Sequence, residues 1–364
     1  MSEERIDVAV VGGGAMGAAS AWHLARAGRG VTVFEQFEPG HRRGASHGAS
    51  RNFNVAYTEP DYLAWLREAR TLWAELEAES ATTLLTRTGI VNHGPGRDYA
   101  RAAEAISAGG FSADVIDARA AAARWPGFRF ETPVLYTPDA GRLHADAAVT
   151  ALLSTAAARG AEVAHHTAVR GLELLGDDDV RLTVDSGDGP RTVRARRVIV
   201  TAGAWTGKLL GATPGVSLPT LRVTQEQPAH FAPRGADAPW PGFNHAPDAS
   251  DPETAWFPAA VYGMLTPGEG VKAGWHAAGP VVDPDRRSFQ PDPQLTAAIV
   301  RYARDWLPGV DSAHFTEVTC TYTSTPDSRF TLERFGPIVV GAGFSGHGFK
   351  FTPVVGRILA GLAA

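Results

Sequence analysis

The apolar positions at the start of the chain follow a strand, helix and strand pattern. Residues 6–11 are apolar and mostly β-branched apart from Asp7, and they run into glycine, which predicts a buried strand. Residues 14–27 carry apolar side chains at helical spacing and end at Gly28, a residue suited to a helix C-cap. Residues 31–35 form a second short apolar run, so the pattern predicts one β-α-β unit with parallel strands.

Later segments repeat both kinds of pattern. We expect helices at 62–79, 145–159, 295–307 and 354–362, strands at 161–165, 197–201 and 336–341, and a hairpin formed by 180–184 and 192–194. Between residues 213 and 293 prolines are frequent, tryptophans recur and short strands alternate with turns. That stretch is typical of a second, mainly antiparallel domain.

Composition excludes several classes of protein. The chain has 364 residues, 44% of them hydrophobic, which suffices for two domains with sizeable cores. Its 34 basic and 39 acidic side chains give a net charge of −5, which argues against nucleic acid as a partner. One cysteine allows no intrachain disulfide, and neither a secretory signal nor an apolar run of about 18 residues is present. We therefore expect a cytoplasmic protein with no membrane partner.

A glycine-rich loop joins the first strand to the first helix. Gly12, Gly14 and Gly17 fit the spacing G-x-G-x-x-G, with Ala15 and Met16 inside the loop. The first glycine allows a tight turn, the second lets backbone approach a pyrophosphate, and the third lets helix and strand pack closely. Backbone amides at the helix start then face the phosphates.

Glu35 ends the second strand, where an acid can accept hydrogen bonds from ribose hydroxyls. A glycine turn in an unrelated α/β fold is the alternative for the loop alone. Strand, helix and acid together favour a dinucleotide. They do not separate FAD from NAD, and Glu35 argues against NADP, whose phosphate an acid would repel.

Four further segments carry distinctive motifs. They are Ser46-His47-Gly48-Ala49-Ser50-Arg51; Lys272-Ala273-Gly274-Trp275-His276, preceded by Tyr262; Cys320-Thr321-Tyr322-Thr323-Ser324-Thr325-Pro326-Asp327; and Gly343-Phe344-Ser345-Gly346-His347-Gly348-Phe349-Lys350. In this order, over nearly the whole chain, they resemble the monomeric sarcosine oxidase and N-methyltryptophan oxidase family, FAD-dependent amine oxidases related to D-amino acid oxidase. The last two segments are the most specific.

Pattern and resemblance together predict a mixed α/β and α+β fold. A Rossmann-like FAD-binding domain is expected at residues 1–85, 140–212 and 312–364, so it is discontinuous. A second, mainly antiparallel substrate domain is expected at 86–139 and 213–311. The resemblance also implies a monomer.

The resemblance implies FAD as cofactor, bonded covalently to Cys320. A thiolate is the nucleophile that could attack the methyl carbon on the flavin's benzenoid ring, although a lone cysteine is more often a small buried thiol. His47 and Arg51 would lie at the flavin edge, where positive charge favours the reduced, anionic ring; a solvated loop is the alternative. Val169 would pack against the adenine end. The remaining implied cofactor contacts are Ser46, Gly343, Phe344, Gly346, His347, Gly348 and Lys350.

The same resemblance implies catalytic roles. Lys350 would hold a substrate carboxylate together with Arg51, and Lys272 would activate oxygen by stabilising developing superoxide. Tyr262 and His276 would line the substrate pocket. Solvated lysines and an ordinary histidine are the alternatives from residue type alone. No metal ligands are assigned.

One position departs from the family. The family's sarcosine oxidases carry a second arginine three residues after the one matching Arg51, and Asn54 stands there instead. A charge-assisted contact of roughly 1.5–3 kcal/mol to the carboxylate is therefore missing, which favours a bulkier or less anionic amine than sarcosine.

The expected activity is oxidation of a secondary amine, such as an N-methyl amino acid, to an imine, with oxygen reduced to hydrogen peroxide. Related alternatives are oxidases of cyclic secondary amino acids, such as proline or pipecolate, and of sugar-amine adducts. More distant alternatives are an NAD-dependent dehydrogenase, a flavin dehydrogenase with a protein electron acceptor, and a binding protein that keeps flavin for structure.

Overall fold

The computed structural model describes residues 4–235 and 239–364. Residues 1–3, in the polar N-terminal segment, and 236–238, in the predicted substrate domain, lie outside the described residues. The helices are α1 (Ala15–Arg26), α2 (Pro60–Ser80), α3 (Tyr99–Ala108), α4 (Ala118–Arg124), α5 (Ala145–Ala158), α6 (Thr206–Leu210), α7 (Pro293–Trp306) and α8 (Thr352–Leu362).

The strands are short and belong to four sheets. They are β1 (Glu4–Val11), β2 (Val31–Phe34), β3 (Arg51–Phe53), β4 (Leu85–Thr86), β5 (Ile90–His93), β6 (Asp114–Ile116), β7 (Val134–Thr137), β8 (Gly141–Leu143), β9 (Glu162–Ala164), β10 (Ala168–Gly176), β11 (Asp179–Asp185), β12 (Pro190–Val200), β13 (Arg222–Glu226), β14 (Ala229–Pro233), β15 (Gly242–His245), β16 (Val261–Thr266), β17 (Gly270–Trp275), β18 (Val310–Glu317), β19 (Cys320–Ser324), β20 (Thr331–Phe335) and β21 (Ile338–Ala342).

The first sheet contains the predicted β-α-β unit. Its order is β10-β11-β12-β1-β2-β9, with β21 also paired to β12 and β20 paired to β21. Strands β1, β2, β9, β12 and β21 pair in parallel. The end of β1 is buried on both faces, as its continuous apolar run predicts, and helix α1 packs beside α5 and α8. The β-α-β prediction is confirmed.

One strand prediction is wrong. The segments 192–194 and 197–201, expected as separate strands, belong to the single strand β12 (Pro190–Val200). Its first half alternates in exposure and pairs antiparallel with β11. Its last residues are wholly buried between β1 and β21. The change of pattern therefore marks a change of neighbouring strand and not a break in the chain.

The second large sheet is mainly antiparallel. Its order is β18-β14-β17-β16-β15-β5-β7-β6, and β15 with β5 is its parallel pair. An aromatic core that includes Trp240, Trp275 and Trp306 packs with it. Two small sheets, β13-β19 and β3-β8-β4, carry Cys320 and Arg51. The predicted mixed fold class is confirmed, and the domain bounds stay a prediction.

Candidate functional site

A cavity of about 860 Å³ extends from the glycine loop to both predicted catalytic lysines. Ligand pockets usually measure roughly 300–1,000 Å³, so this one suits a large ligand. Every site residue predicted from the sequence lines the cavity except Gly17. The structure therefore brings together residues that lie more than 300 positions apart in the sequence.

The glycine loop closes one end of the cavity. Gly12 has φ +99°, and a Cβ atom there would lie 2.6 Å from the carbonyl oxygen of Thr201. A Cβ on Gly17 would lie 1.9 Å from the oxygen of Gly12, so Gly17 serves the helix–strand contact and not the cavity surface. Helix α1 begins at Ala15, whose amide donates to Ser46 Oγ at 3.0 Å. The positive end of the helix dipole thus faces the cavity beside Met16.

Glu35 is buried beside this loop. Its carboxylate accepts hydrogen bonds from the amides of Gly13, at 2.8 Å, and Phe37, at 3.0 Å. Each carboxylate oxygen keeps a second lone pair for a ligand hydroxyl. Val169 lines the same end of the cavity from β10.

Arg51 organises the loop before β3. Its guanidinium donates to the backbone oxygens of Ser50 and Ala45, each at 2.8 Å, and of His47, at 2.6 Å. Burial, with the nearby charges of Arg51 and Lys272, lowers the pKa of His47 to about 3. His47 is therefore neutral at neutral pH in this cavity, and its expected role at the flavin edge stays a prediction.

Cys320 is a buried thiol that lines the cavity. Burial raises its pKa, and Arg51, Lys272 and Arg287 oppose that rise. Glu226 lies directly opposite it on the antiparallel strand β13. Burial also raises the pKa of Glu226, which accepts from Thr224 Oγ1 at 2.5 Å and from the amide of Gly279 at 3.2 Å. No sequence signal indicates Glu226, because Cys320 and Gly279, the partners that place it at the site, are distant in sequence.

Lys272 lies on β17, in the second large sheet. Its side chain is buried, and Nζ donates to the backbone oxygen of Ser50 at 3.2 Å. Burial, followed by the charge of Arg51, lowers the pKa of Lys272 to about 7. The amine can therefore change protonation near neutral pH, as an arginine there could not.

Lys350 lies in the short 3-10 helix Phe349–Phe351, just before α8. Nζ donates to the hydroxyl of Tyr57 at 3.1 Å and to the backbone oxygen of His347 at 2.8 Å. Burial lowers the pKa of Lys350 to about 7. Tyr57 was not predicted from the sequence, since nothing in its own segment indicates a partner near the C-terminus.

Both lysines are unusual in this chain. The sequence contains three lysines against 31 arginines, and the third, Lys208, is exposed and paired with Asp283 and Asp285. Two of three lysines therefore lie buried in one cavity. This scarcity was a signal in the sequence that the motif analysis did not use.

Aromatic side chains and a glycine turn form the wall between the lysines. Tyr262 is on β16, and His276 follows the end of β17. The rings of His276 and Tyr322 have centroids 5.5 Å apart. A Cβ on Gly346 would lie 2.0 Å from the Tyr322 ring, so only glycine fits that turn. Its neighbours Gly343, Phe344, His347 and Gly348 also line the cavity.

Asparagines occupy the place of the missing arginine. Asn54 and Asn244 line the cavity, and the Nδ2 atoms of both donate to Asn92 Oδ1, at 3.3 and 3.0 Å. The buried Oδ1 of Asn52, another lining residue, has no hydrogen-bond partner among the described residues. This part of the wall is polar and uncharged.

The cavity fits FAD. It has a helix start suited to a phosphate at one end, a carboxylate suited to ribose hydroxyls beside it and a cysteine among its other lining residues. The buried His47 Nε2 and Thr321 Oγ1, both in lining residues, lack a hydrogen-bond partner within residues 4–235 and 239–364, as expected for atoms that meet a polar ligand. Over the same ranges no group of three or more acidic, cysteine or histidine side chains could hold a metal ion. No described helix could cross a membrane.

Known proteins share this architecture. The family model of FAD-dependent oxidoreductases named DAO matches residues 7–362. The chain is 31% identical to monomeric sarcosine oxidase of Bacillus sp. (strain NS-129), covering 98% of this chain and 92% of the relative. It is 30% identical to N-methyl-L-tryptophan oxidase of Salmonella dublin, covering 99% and 95%.

Among solved structures, the open form of NikD, an unusual amino acid oxidase essential for nikkomycin biosynthesis, aligns with TM-score 0.85 and 27% identity over 99% of this chain and 94% of that one. The glycine-rich loop, the length of the match and the shared fold agree with one another. The chain belongs to the DAO family of FAD-dependent oxidoreductases.

Proposed function

We propose that this protein is an FAD-dependent oxidase of a secondary amine, of the N-methyl amino acid class, and that it releases hydrogen peroxide. The observation that carries the proposal is the burial of Lys272 and Lys350 in the cofactor cavity, with no carboxylate bonded to either in the described part of the chain. Buried cations are costly unless an anion or a developing charge meets them. The activities named for the sarcosine and N-methyl-L-tryptophan oxidases support this function.

Lys350 is the group proposed to bind the substrate carboxylate. Two of its three Nζ hydrogens are used by Tyr57 and His347, and the third is left for an anion. An anion would also favour the charged form of the lysine. Tyr262 and His276 would then confine the amine nitrogen, and burial around His276, whose pKa is lowered, favours neutral groups there.

Lys272 is proposed to assist oxygen. When bound, FAD accepts a hydride equivalent from the carbon next to the amine nitrogen and passes two electrons to oxygen. A charged amine held by the Ser50 carbonyl would stabilise negative charge developing on oxygen. The imine product hydrolyses in water to an aldehyde and an amine.

Cys320 is proposed to carry the FAD through a thioether. Its thiolate is the reactive form, and the three cations that oppose the burial effect on its pKa support that form. When bound, FAD would supply the methyl carbon on its ring. Sulfur would replace one hydrogen there, and oxygen would accept the two electrons and two protons released, giving hydrogen peroxide.

A second candidate is an oxidase of a bulkier or less anionic amine, such as a cyclic secondary amino acid or a sugar-amine adduct. The uncharged wall of Asn52, Asn54 and Asn244 favours it, because amides pair with hydroxyl or amide groups as well as with carboxylates. The two candidates share the fold and the chemistry at the amine, and they differ in the far end of the substrate.

The function is tested on the purified, yellow protein. Anaerobic mixing with sarcosine, N-methyltryptophan, proline, pipecolate and a fructosyl amine should bleach the flavin with at least one of them, and admission of oxygen should yield one peroxide per cycle. A colourless protein that takes up no FAD contradicts the proposal. Bleaching without peroxide favours a protein electron acceptor.

A monomer in the cytoplasm is also proposed. The name of the monomeric sarcosine oxidases supports the first point, and the single cysteine is consistent with a reducing compartment. Light scattering across a concentration series measures the mass directly, and a value of twice 38.5 kDa contradicts the monomer.

A further inference from the structure

A histidine and a glutamate with no part in the proposed reaction lie beside Lys272. His230 on β14 pairs directly with Lys272 on the antiparallel strand β17, so both side chains leave the same face of the sheet. His230 Nδ1 lies 2.9 Å from Glu269 Oε2 in the turn between β16 and β17. All three residues line the cavity. The side chain of His230 is 4% exposed and that of Glu269 is 41% exposed, so the pair runs inward from the surface.

The inner nitrogen of His230 is an unused acceptor. A carboxylate at Nδ1 keeps the proton on that nitrogen and leaves a lone pair on Nε2. Nε2 is buried and has no hydrogen-bond partner in the parts of the chain that the structure describes. Buried polar atoms rarely stay unpaired, so this one is suited to a donor inside the cavity.

Lys272 supplies such a donor. One of its three hydrogens goes to the Ser50 carbonyl, which leaves two for acceptors on the cavity side. Nε2 and Nζ make no direct hydrogen bond in the described part of the chain, so a link between them requires a bridging water or a small side-chain rotation. The acceptor and the ammonium are held on neighbouring positions of two rigid strands.

Charged groups on several neighbouring elements act on Lys272 and His230. Lys272 faces Arg51 from β3, Cys320 from β19 and Asp146 from the first turn of α5, besides Glu269. Arg51 disfavours the ammonium, whereas Glu269 and Asp146 favour it. On the far side of His230, β18 presents Thr316, which carries no charge. Burial, with Lys272 and Arg51, lowers the pKa of His230 to about 4, so the ring is a neutral acceptor at neutral pH.

We propose that Glu269 and His230 are positioning residues that keep Lys272 in its charged form despite burial. His230 offers Nε2 to the ammonium, and Glu269 fixes the imidazole tautomer and adds a negative charge behind it. This inference rests on the proposed function of Lys272 in oxygen reduction. The pair extends to higher pH the range in which Lys272 assists that step. Without the pair, the buried amine is neutral over more of the physiological range.

The three lysines of this chain make the proposal directly measurable. In holoenzyme grown with lysine labelled by 13C at Cε, three side-chain signals titrate, and the Lys208→Met and Lys350→Met variants assign them. We expect Glu269→Gln to lower the pKa of Lys272 by roughly half a unit to one unit, since a nearby opposite charge is lost. His230→Leu should lower it as well, and His230→Gln, which keeps an acceptor near the position of Nε2, should restore part of the loss.

Asp146→Asn is the matched control, because Asp146 also favours the ammonium but its carboxylate accepts from the Gly48 amide, whereas that of Glu269 pairs with His230. A shift as large as that of Glu269→Gln overturns the proposal in favour of unspecific electrostatics. An unchanged Lys272 titration in both Glu269→Gln and His230→Leu overturns it as well. The signals of Lys208 and Lys350 should not move in any variant.

Stopped-flow reoxidation connects the titration to function. The pH at which the reoxidation rate falls should move down together with the pKa of Lys272, while anaerobic reduction by amine keeps its pH profile. A titration shift with no change in the reoxidation profile refutes the functional part. If no amine reduces the wild-type enzyme, the proposed function fails, and the NMR titration still decides whether the pair supports Lys272.

Discussion

The ammonium of Lys350 donates to the hydroxyl of Tyr57 at 3.1 Å, across 293 positions of sequence. The same hydroxyl lies 3.2 Å from His347 Nδ1, so Tyr57 joins the segment after β3 to the C-terminal glycine turn. The contact orients Lys350 toward the cavity. With the hydrogen bond to the His347 carbonyl, it uses two of the three Nζ hydrogens and so fixes the direction of the third.

Replacement of Tyr57 by phenylalanine removes this acceptor and keeps the ring. We expect KM for an N-methyl amino acid to rise about 3- to 10-fold with little change in kcat, since one hydrogen bond of about 0.5–1.5 kcal/mol is lost. Steady-state peroxide assays measure both constants. Tyr62→Phe, a neighbouring ring with no bond to Lys350, is the control; equal effects in both variants refute the positioning role.

Replacement of Lys272 by methionine should slow reoxidation by roughly 10²-fold, on the scale found for removal of one charge-stabilising donor. Anaerobic bleaching by amine should keep its rate, because the lysine acts on oxygen. Stopped-flow absorbance separates the two half-reactions. Lys208→Met, at the exposed lysine, should change neither, and an unaltered reoxidation rate in Lys272→Met removes the assignment.

Replacement of Cys320 by serine should leave FAD bound but removable. Acid precipitation of the wild-type protein should give a yellow pellet, and precipitation of the variant a colourless pellet with FAD in the supernatant. Mass spectrometry of the peptide that contains Cys320 measures the same link. A colourless wild-type pellet contradicts a covalent bond, without bearing on the binding of FAD.

Asn54→Arg restores the charge that the wall lacks. For an N-methyl amino acid we expect kcat/KM to rise about tenfold or more, as a charge-assisted contact of roughly 1.5–3 kcal/mol allows. The corresponding amide substrate should gain nothing. The ratio of kcat/KM for acid and amide is the measurement, with Asn54→Gln as a neutral control. A ratio that stays constant places the substrate carboxylate elsewhere.

Stability should depend on pH through Lys350. Its pKa of about 7 in the folded chain lies below the unfolded value, so the unfolded chain binds more protons above pH 7 and stability rises with pH from there. Below pH 7 the folded chain buries a charged ammonium, so the loss of unfolding free energy from that burial is largest there. Lys350→Met should therefore have a higher free energy of unfolding than the wild type. The difference between the two proteins should be about 2–3 kcal/mol larger at pH 6 than at pH 9. Urea unfolding at both pH values measures this difference, and Lys208→Met should show none.

Local patterns predicted the strand, helix and strand that surround the glycine loop. The apolar run of β1, the glycines that follow and the acid at Glu35 act within 30 residues, and each has one physical role that residue type reveals. The motif around Cys320 and the turn before Lys350 were equally readable, because glycines and a lone cysteine have few substitutes.

Pairings between distant strands were not readable. The neighbours of Lys272 are set by its register against β14 and β16, which no local pattern encodes. The same holds for Glu226 opposite Cys320. The neutral state of His47 was also unpredictable, since it depends on how deeply the loop is buried. Sequence therefore identified residues that the fold brings into one cavity, and tertiary structure determines their protonation.

The exposed position of Lys208, beside its two aspartates, has a practical consequence. Lysine-directed reagents such as activated esters can reach the exposed side chain of Lys208, whereas those of Lys272 and Lys350 are buried. Coupling through lysine side chains would thus modify Lys208 and spare the two buried amines, so an amine reagent would label the chain at that side chain and at its α-amino group.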